Sequence, residues 1–290
     1  MMRIPDTELF INPEGRVYHL GIRKQDLADI VLLVGDQDRV DVFKGLFDEI
    51  EMEHRTREFH TLTGLYRSKR FTALSTGIGT DNIDIAVNEL DALANIDFDT
   101  RKPAAVHRSL TLFRLGTCGA IQPDISVGSM ILSHKAIGLD NVLNWYADRD
   151  KVCDLEMEQA FLSQVHWSSH LHDPYISSAS PKLIRLFEDC TVKGLTLSSA
   201  GFYGPQGRKV RAGLAMPAML EEFEAFRFKD WRITNFEMES SALFGLASIL
   251  GHEAGTLCVA MGNRYHKNNA VDHASLVRKM CELALDRLSL

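Results

Sequence analysis

Cysteine is scarce in this chain and poorly spaced for chemistry. Cys118, Cys153, Cys190, Cys258 and Cys281 are odd in number, far apart and free of any Cys-x-x-Cys pair. That argues against a disulfide framework and against a thiolate zinc site, and points to a reducing compartment. Long apolar runs are also missing: none approaches the roughly 20 residues that a helix needs to span a bilayer. The segment from Met1 to Arg16 mixes charges and prolines with apolar residues and has no apolar signal core, so no membrane and a cytoplasmic location are expected. Basic excess is absent, since 32 Lys+Arg stand against 39 Asp+Glu for a net charge of −7. Non-specific nucleic-acid binding runs on lysine and arginine neutralising phosphates, so nucleic acid is not an expected partner. The Gly-Lys-Ser/Thr ending of a Walker loop and the His-Glu-x-x-His zinc signature do not occur. His166 and His170 stand four apart, but Trp167 follows His166, and a polar surface segment is the expectation there. No metal is expected.

What is present is a chain of 290 residues, 45% hydrophobic and 24% charged, with no internal repeat and no low-complexity linker. Folding at that size hides roughly three quarters of the unfolded surface, enough for a large core. Short apolar runs alternate with helical periodicity. Strands are expected at Ile30–Val34, Phe71–Ser75, Leu110–Leu115, Ser129–Leu139, Leu195–Ser198 and Gly255–Met261. Helices are expected over Val40 to Phe47, around Ile83 to Leu93, over Ala242 to Leu250 and from Leu276 to Leu288. This alternation predicts an α/β fold with a mostly parallel sheet covered on both faces. Three of the strands run into glycine-containing turns after residues 34, 75 and 115, which places those turns on one rim, where open α/β sheets bind ligands. Asp97–His107 is polar and basic and reads as a surface loop.

Four segments could carry chemistry. Gly35-Asp36-Gln37-Asp38-Arg39 follows a strand and opens a helix, a place that suits an anion, although a tight turn with a surface arginine has the same pattern. Arg114, near the end of an apolar strand, needs either a buried carboxylate or an anionic ligand, and Thr117 adds a hydroxyl beyond it. Cys118 reads as a small packed thiol. Phe202-Tyr203-Gly204-Pro205-Gln206-Gly207-Arg208 could stack on a planar base with Phe202 and read its polar edge with Gln206 and Arg208. Asn235-Phe236-Glu237-Met238-Glu239-Ser240 could aim carboxylates at a sugar diol, or could simply start a capped helix.

Together these pieces resemble the nucleoside phosphorylase family, in particular its uridine-cleaving branch. The resemblance rests on Val34-Gly35-Asp36 with Arg39-Val40, Arg57-Glu58-Phe59, Ser75-Thr76-Gly77-Ile78-Gly79, Arg114 through Pro123, Phe202-Tyr203 with Gln206 and Arg208, Phe236 through Ser240, and Asn263-Arg264, all in the family's order. It implies a single domain over residues 1–290, with a mixed, distorted central sheet flanked by helices, in a homodimer or homohexamer. It implies reversible phosphorolysis of a pyrimidine nucleoside, with orthophosphate as co-substrate and no cofactor. By resemblance, Gly35, Arg39, Arg114 and Thr117 bind phosphate, with Arg57 from a neighbouring subunit. Met238 and Glu239 bind the ribose, with His19 from that neighbour. Phe202, Gln206, Arg208 and Gly119 hold the base, with Gln206, Arg208 and Arg264 as the catalytic set. Asn263 stands where purine-acting relatives carry an aspartate, which favours the pyrimidine. Gly262 stands where a larger apolar residue is usual. The alternatives are a purine nucleoside phosphorylase or a water-using nucleosidase, and a nucleoside-binding protein without catalysis.

Overall fold

The first strand is apolar along its whole length because both of its faces are covered. The computed structural model describes residues 3–270 and 272–290. In β1 (Ile30–Val34), Val31 and Leu33 face one core and Leu32 and Val34 the other. α1 (Gln37–Lys44) follows at once, capped by Asp36. β2 (Glu49–Thr56), β3 (Phe59–Tyr66) and β4 (Lys69–Ser75) form an antiparallel meander. After α2 (Thr80–Asn95) come a two-residue pair, β5 (Ile96–Asp97) and β6 (Lys102–Pro103), and then the long β7 (Thr111–Ala120) and β8 (Met130–Gly138). The next part holds α3 (Arg149–Val152), α4 (Leu155–Gln164), β9 (Tyr175–Ser178), α5 (Pro181–Phe187) and β10 (Val192–Ser198). The last part holds α6 (Met219–Ala225), β11 (Arg227–Phe228), β12 (Trp231–Glu237), α7 (Ser240–Leu250), β13 (Glu253–Asn263), β14 (Asn268–Asn269) and α8 (His273–Leu288).

The main sheet runs β11-β12-β10-β8-β13-β7-β1-β4-β3-β2. β4, β1, β7 and β13 are parallel, whereas β8 runs against β13. The sheet is therefore mixed, as the resemblance implies. It is also distorted: β12 pairs with β10 on one side and meets β7 on the other through Asn235↔Ala120 and Phe236↔Gly119. β7, β13, β8, β10 and β12 thus close a ring, and its rim beside β12 and β7 is where the site forms. α2 and α7 cover one face of the sheet, and α1, α5 and α8 the other. Each fully buried leucine, isoleucine or phenylalanine in these layers contributes about 1.5–3 kcal/mol of transfer free energy. Among the described residues no helix is long and apolar enough to cross a membrane.

The expected rim is present. Val34 is level with Ser75, and Leu33 with Arg114. Four expectations need correction. The sheet is not mostly parallel, because the β2-β3-β4 meander and the β8–β13 and β7–β12 pairings are antiparallel. The third strand does not stop at Leu115: β7 continues through Gly116-Thr117-Cys118-Gly119, because β13 pairs with it along the way and β12 holds its end. The first helix starts at Gln37, three residues early, since Asp36 accepts a hydrogen bond from the Arg39 backbone N–H and so sets the helix start. Asp97–His107 is not simply a surface loop. Ile96–Asp97 pairs with Lys102–Pro103, and Arg101 is buried under the N-terminal segment, donating to the carbonyls of Ile4, Pro5 and Leu9.

Candidate active site

A cavity of about 880 Å³ opens on this rim. Its anion-binding end is built from β1, α1 and β7. Gly35 and Arg39 line it, and Arg39 is steadied by Asp36 at 3.3 Å and by donation to the Leu115 carbonyl at 3.3 Å. Arg114 comes off β7 and lies fully inside the protein. Its Nη2 donates to the Glu239 carboxylate, and its Nη1 stands 3.6 Å from Glu237 and 3.9 Å from Cys258 Sγ. Gly116 makes this possible, because a Cβ there would come within 1.9 Å of Arg114 Nη1. The carboxylate reading of Arg114 is met, since it is paired with Glu239 and Glu237, and its side chain also lines the cavity. Its Nε is buried and has no partner among the described residues.

The middle of the cavity is made where β12 passes into α7. Glu237 is the last residue of β12, and its carboxylate accepts the backbone N–H groups of Glu239 and Ser240, closing the start of the helix. Glu239 accepts from the backbone N–H of Gly79 at 2.9 Å and from that of Met238 at 3.2 Å. Gly79 has φ +100°, a conformation that favours glycine, and this turns its N–H toward the carboxylate. Burial raises the Glu239 pKa and Glu237 adds to the rise, while Arg114 opposes both. Burial works against the charge on Arg114, but Glu239 and then Glu237 outweigh it and raise its pKa. Met238 lines the cavity beside them.

At the far end the loop after β10 brings Phe202, Gln206 and Arg208 to the wall. The Arg208 guanidinium lies over the Phe202 ring, 3.7 Å from its centroid, and donates to the Phe202 carbonyl at 2.6 Å and to Gln206 Oε1. Arg264 donates to the Gln206 carbonyl at 3.0 Å and so pins the same loop. Burial and the neighbouring Arg264 pull the Arg208 pKa down to about 10, and burial lowers that of Arg264. Among the described residues this end therefore carries positive charge with neutral acceptors and no carboxylate partner, a setting that favours an anion. Thr117 and Gly119 also line the cavity.

Two expected residues stand apart from it. His19 is held by Glu89, with Nδ1 2.7 Å from the carboxylate. Arg57 sits in the turn between β2 and β3, donating to Tyr18 Oη at 2.9 Å, and the Tyr18 ring packs edge-on against His19. The two thus lie in one surface cluster, and neither lines the cavity. Conversely, Ile78, Met261, Lys267, Asn268, Asn269 and His273 line the cavity without having been expected. Lys267–Asn269 has no apolar periodicity to mark it. Glu237 carries a legible signal, since it alternates with Glu239 across a single residue.

Two clusters outside the cavity have the composition of metal sites: Asp91, His107 and His252, and Asp41, Glu53 and His60. In the first, His252 Nδ1 accepts the Leu110 N–H, so Nε2 carries the proton and donates to Asp91. In the second, both nitrogens of the buried His60 face oxygen acceptors, the Gln37 carbonyl and Glu53. His252 thus has no lone pair left for a metal ion, whereas both His60 nitrogens are placed against oxygen atoms of the protein.

The comparisons with known proteins agree with this geometry. The phosphorylase superfamily model matches residues 29–289. The chain is 32% identical to a uridine phosphorylase of Thermococcus kodakarensis over 271 residues, covering 90% of this chain and 80% of that protein. It is 29% identical to a uridine phosphorylase of Escherichia coli, covering 86% of each. Its fold matches the crystal structure of a Trypanosoma brucei nucleoside phosphorylase that shows uridine phosphorylase activity, with a TM-score of 0.87 and 29% identity. That match covers 97% of this chain and 99% of the other.

Proposed function

Since the chain belongs to the phosphorylase superfamily, we propose that it catalyses the reversible phosphorolysis of uridine, giving uracil and ribose 1-phosphate from uridine and orthophosphate. One observation carries the reading: a single cavity holds arginines at both ends and a buried carboxylate between them. Its volume lies within the usual range for small-molecule sites, about 300–1,000 Å³. Orthophosphate is the co-substrate in this reading, and no further cofactor takes part. Residues 1–290 act as one domain, supported by a sheet whose strands come from Ile30 to Asn269.

The chemistry follows from charge. As the glycosidic bond breaks, the sugar gains positive charge and the departing base gains negative charge. Gln206 and Arg208 meet the polar edge of the uracil and stabilise the second, while Arg264 holds their loop in place. Phe202 and Gly119 complete the base wall. Gly35, Arg39, Arg114 and Thr117 hold and aim the phosphate dianion, whose own charge favours the cationic sugar. Glu239, already fixed by Gly79, Met238 and Arg114, accepts a ribose hydroxyl proton beside Met238, because its Oε1, bonded only to the Gly79 N–H, has a further lone pair. Asn263 supports the pyrimidine. Its Nδ2 donates to the Gln122 carbonyl at 2.9 Å and to the Ile125 carbonyl at 2.7 Å. It is thus fully engaged and supplies no acid for a purine ring.

The direct test is uracil release from uridine by the purified protein with and without orthophosphate. Release only with phosphate is expected. Release without it would mean a hydrolase, and tight uridine binding without turnover would mean a binding protein.

The same reading assigns Arg57 and His19 to the site of a second copy in a homodimer, or in a hexamer of such dimers. Supporting this, Phe10, Tyr18 and Ile78 are each more than half exposed, the first two beside these residues and Ile78 at the cavity mouth. Arg57→Ala is then expected to lower activity about 10²-fold, the worth of one lost donor, without loss of fold. Co-refolding Arg57→Ala with Arg208→Ala should restore activity, because a mixed dimer rebuilds one intact site. Two inactive variants that stay inactive when mixed would show that no site is shared.

A further inference from the structure

β13 reaches the cavity at Gly262, which is paired with Gly119 of β7 on one side and with Asn269 of β14 on the other. Residues paired across strands point to the same face of a sheet. The open face of Gly119 looks toward Arg208 and Arg264: a Cβ there would lie 3.9 Å from Arg208 Nη2 and 3.9 Å from Arg264 Cγ. On the same face a Cβ at Gly262 would come within 2.6 Å of Asn269 Oδ1 and 3.2 Å of the Asn268 carbonyl. Two adjacent residues without side chains thus form a flat floor. Guanidinium groups stand at one end of it and the Asn269 amide at the other. Among the described residues that amide makes no hydrogen bond, although Asn269 lines the cavity.

The orientation of the base then decides what the amide meets. In the function proposed above, Gln206 and Arg208 take the O2, N3 and O4 edge of the uracil ring, and N1 points to the ribose beside Met238 and Glu239. The C5–C6 edge is the one left over. It faces the opposite end of the floor, where no apolar side chain rises from residue 262 and a polar amide takes its place. We infer that Asn269 is a specificity-determining residue that reads the substituent at C5. The enzyme accordingly takes uridines with a small hydrogen-bonding group there, such as hydroxymethyl, in preference to those with methyl. A hydroxymethyl can both donate to and accept from the amide, whereas a methyl desolvates the amide without replacing its hydrogen bonds. This rests on the uridine reading of the site.

The experiment measures kcat/KM for uridine, 5-methyluridine and 5-hydroxymethyluridine, and Kd for the three free bases. It uses the wild type, Asn269→Ala and Asn269→Leu. Asn269 is exposed, so neither substitution disturbs the core. The wild type is expected to favour the hydroxymethyl over the methyl compound about two- to tenfold, the worth of one hydrogen bond. Asn269→Ala should bring that ratio to near one, and Asn269→Leu should reverse it. Uridine turnover with a ratio that ignores residue 269, or with both substituted compounds rejected, would overturn the inference and leave the proposed reaction standing. Absent turnover with the Kd ratio intact, and lost in Asn269→Ala, would overturn the reaction and support Asn269.

Discussion

Arg114→Met is expected to lower kcat/KM for phosphorolysis about 10²–10³-fold and also to destabilise the fold by about 3–5 kcal/mol. The two losses have different causes. The first removes a charged donor from the phosphate end of the cavity. The second leaves Glu239 and Glu237 buried beside each other with no cation between them. Removing one partner of a buried pair leaves an uncompensated charge, which is worse than never having built the pair. The pH dependence separates the two. Burial already raises the Glu239 pKa, and only Arg114 opposes it strongly. Without the guanidinium the folded-state pKa of Glu239 rises further above the unfolded value of about 4.3. A group with a raised folded pKa favours folding when protonated and loses that stability as pH rises through the folded pKa. The deficit of the variant should therefore be largest near pH 8 and shrink as pH falls toward 5. Urea unfolding of both proteins across that range is the measurement. An equal deficit at every pH would show that Arg114 does not hold down the pKa of Glu239.

Arg208→Ala is expected to lower kcat about 10²–10³-fold, because the charge growing on the uracil loses its principal donor. Here stability should change little. Among the described residues Arg208 has no carboxylate partner, and it lies close enough to Arg264 for their like charges to add to burial in pulling its pKa down to about 10. The KM for phosphate should hold, since Arg39 and Arg114 are at the other end of the cavity. Arg208→Lys should not rescue the rate, because an ammonium cannot bridge Gln206, the Phe202 carbonyl and a base with a planar fork. Steady-state kinetics with uridine and phosphate varied separately would show the split. An unchanged kcat would remove Arg208 from the base site.

Ile30–Val34 was legible as a strand to the residue, and Phe71–Ser75 as all of β4 but Lys69 and Arg70, because parallel strands buried on both faces are continuous apolar runs. β2 was not legible. Its pattern is Glu-Ile-Glu-Met-Glu-His-Arg-Thr, and it lies at the edge of the sheet with most of its residues exposed or half-exposed. Such a strand is held by its partner rather than by its own burial. β7 was legible only in its first half. The glycines at 116 and 119 carry the usual marks of a turn, and only pairing with β13 and β12 keeps them extended.

The candidate site divides in the same way. Arg39, Arg114, Gln206, Arg208 and Glu239 were legible as charged or polar groups in apolar or glycine-rich settings, and the resemblance to the nucleoside phosphorylases joined them into one candidate site. What no local pattern contains is which partner. Arg114 meets Glu239 across 125 positions of chain. Asn269 reaches the cavity only because β14 folds back on Gly262. Arg57 and His19 meet through Tyr18 on the surface, away from the cavity. Burial pattern and residue chemistry are properties of a segment, so the sequence by itself determined the α/β class, the ligand-binding rim and the identity of the charged residues. Pairing, ring closure and cavity shape depend on segments far apart in the chain, and only the tertiary structure decided them.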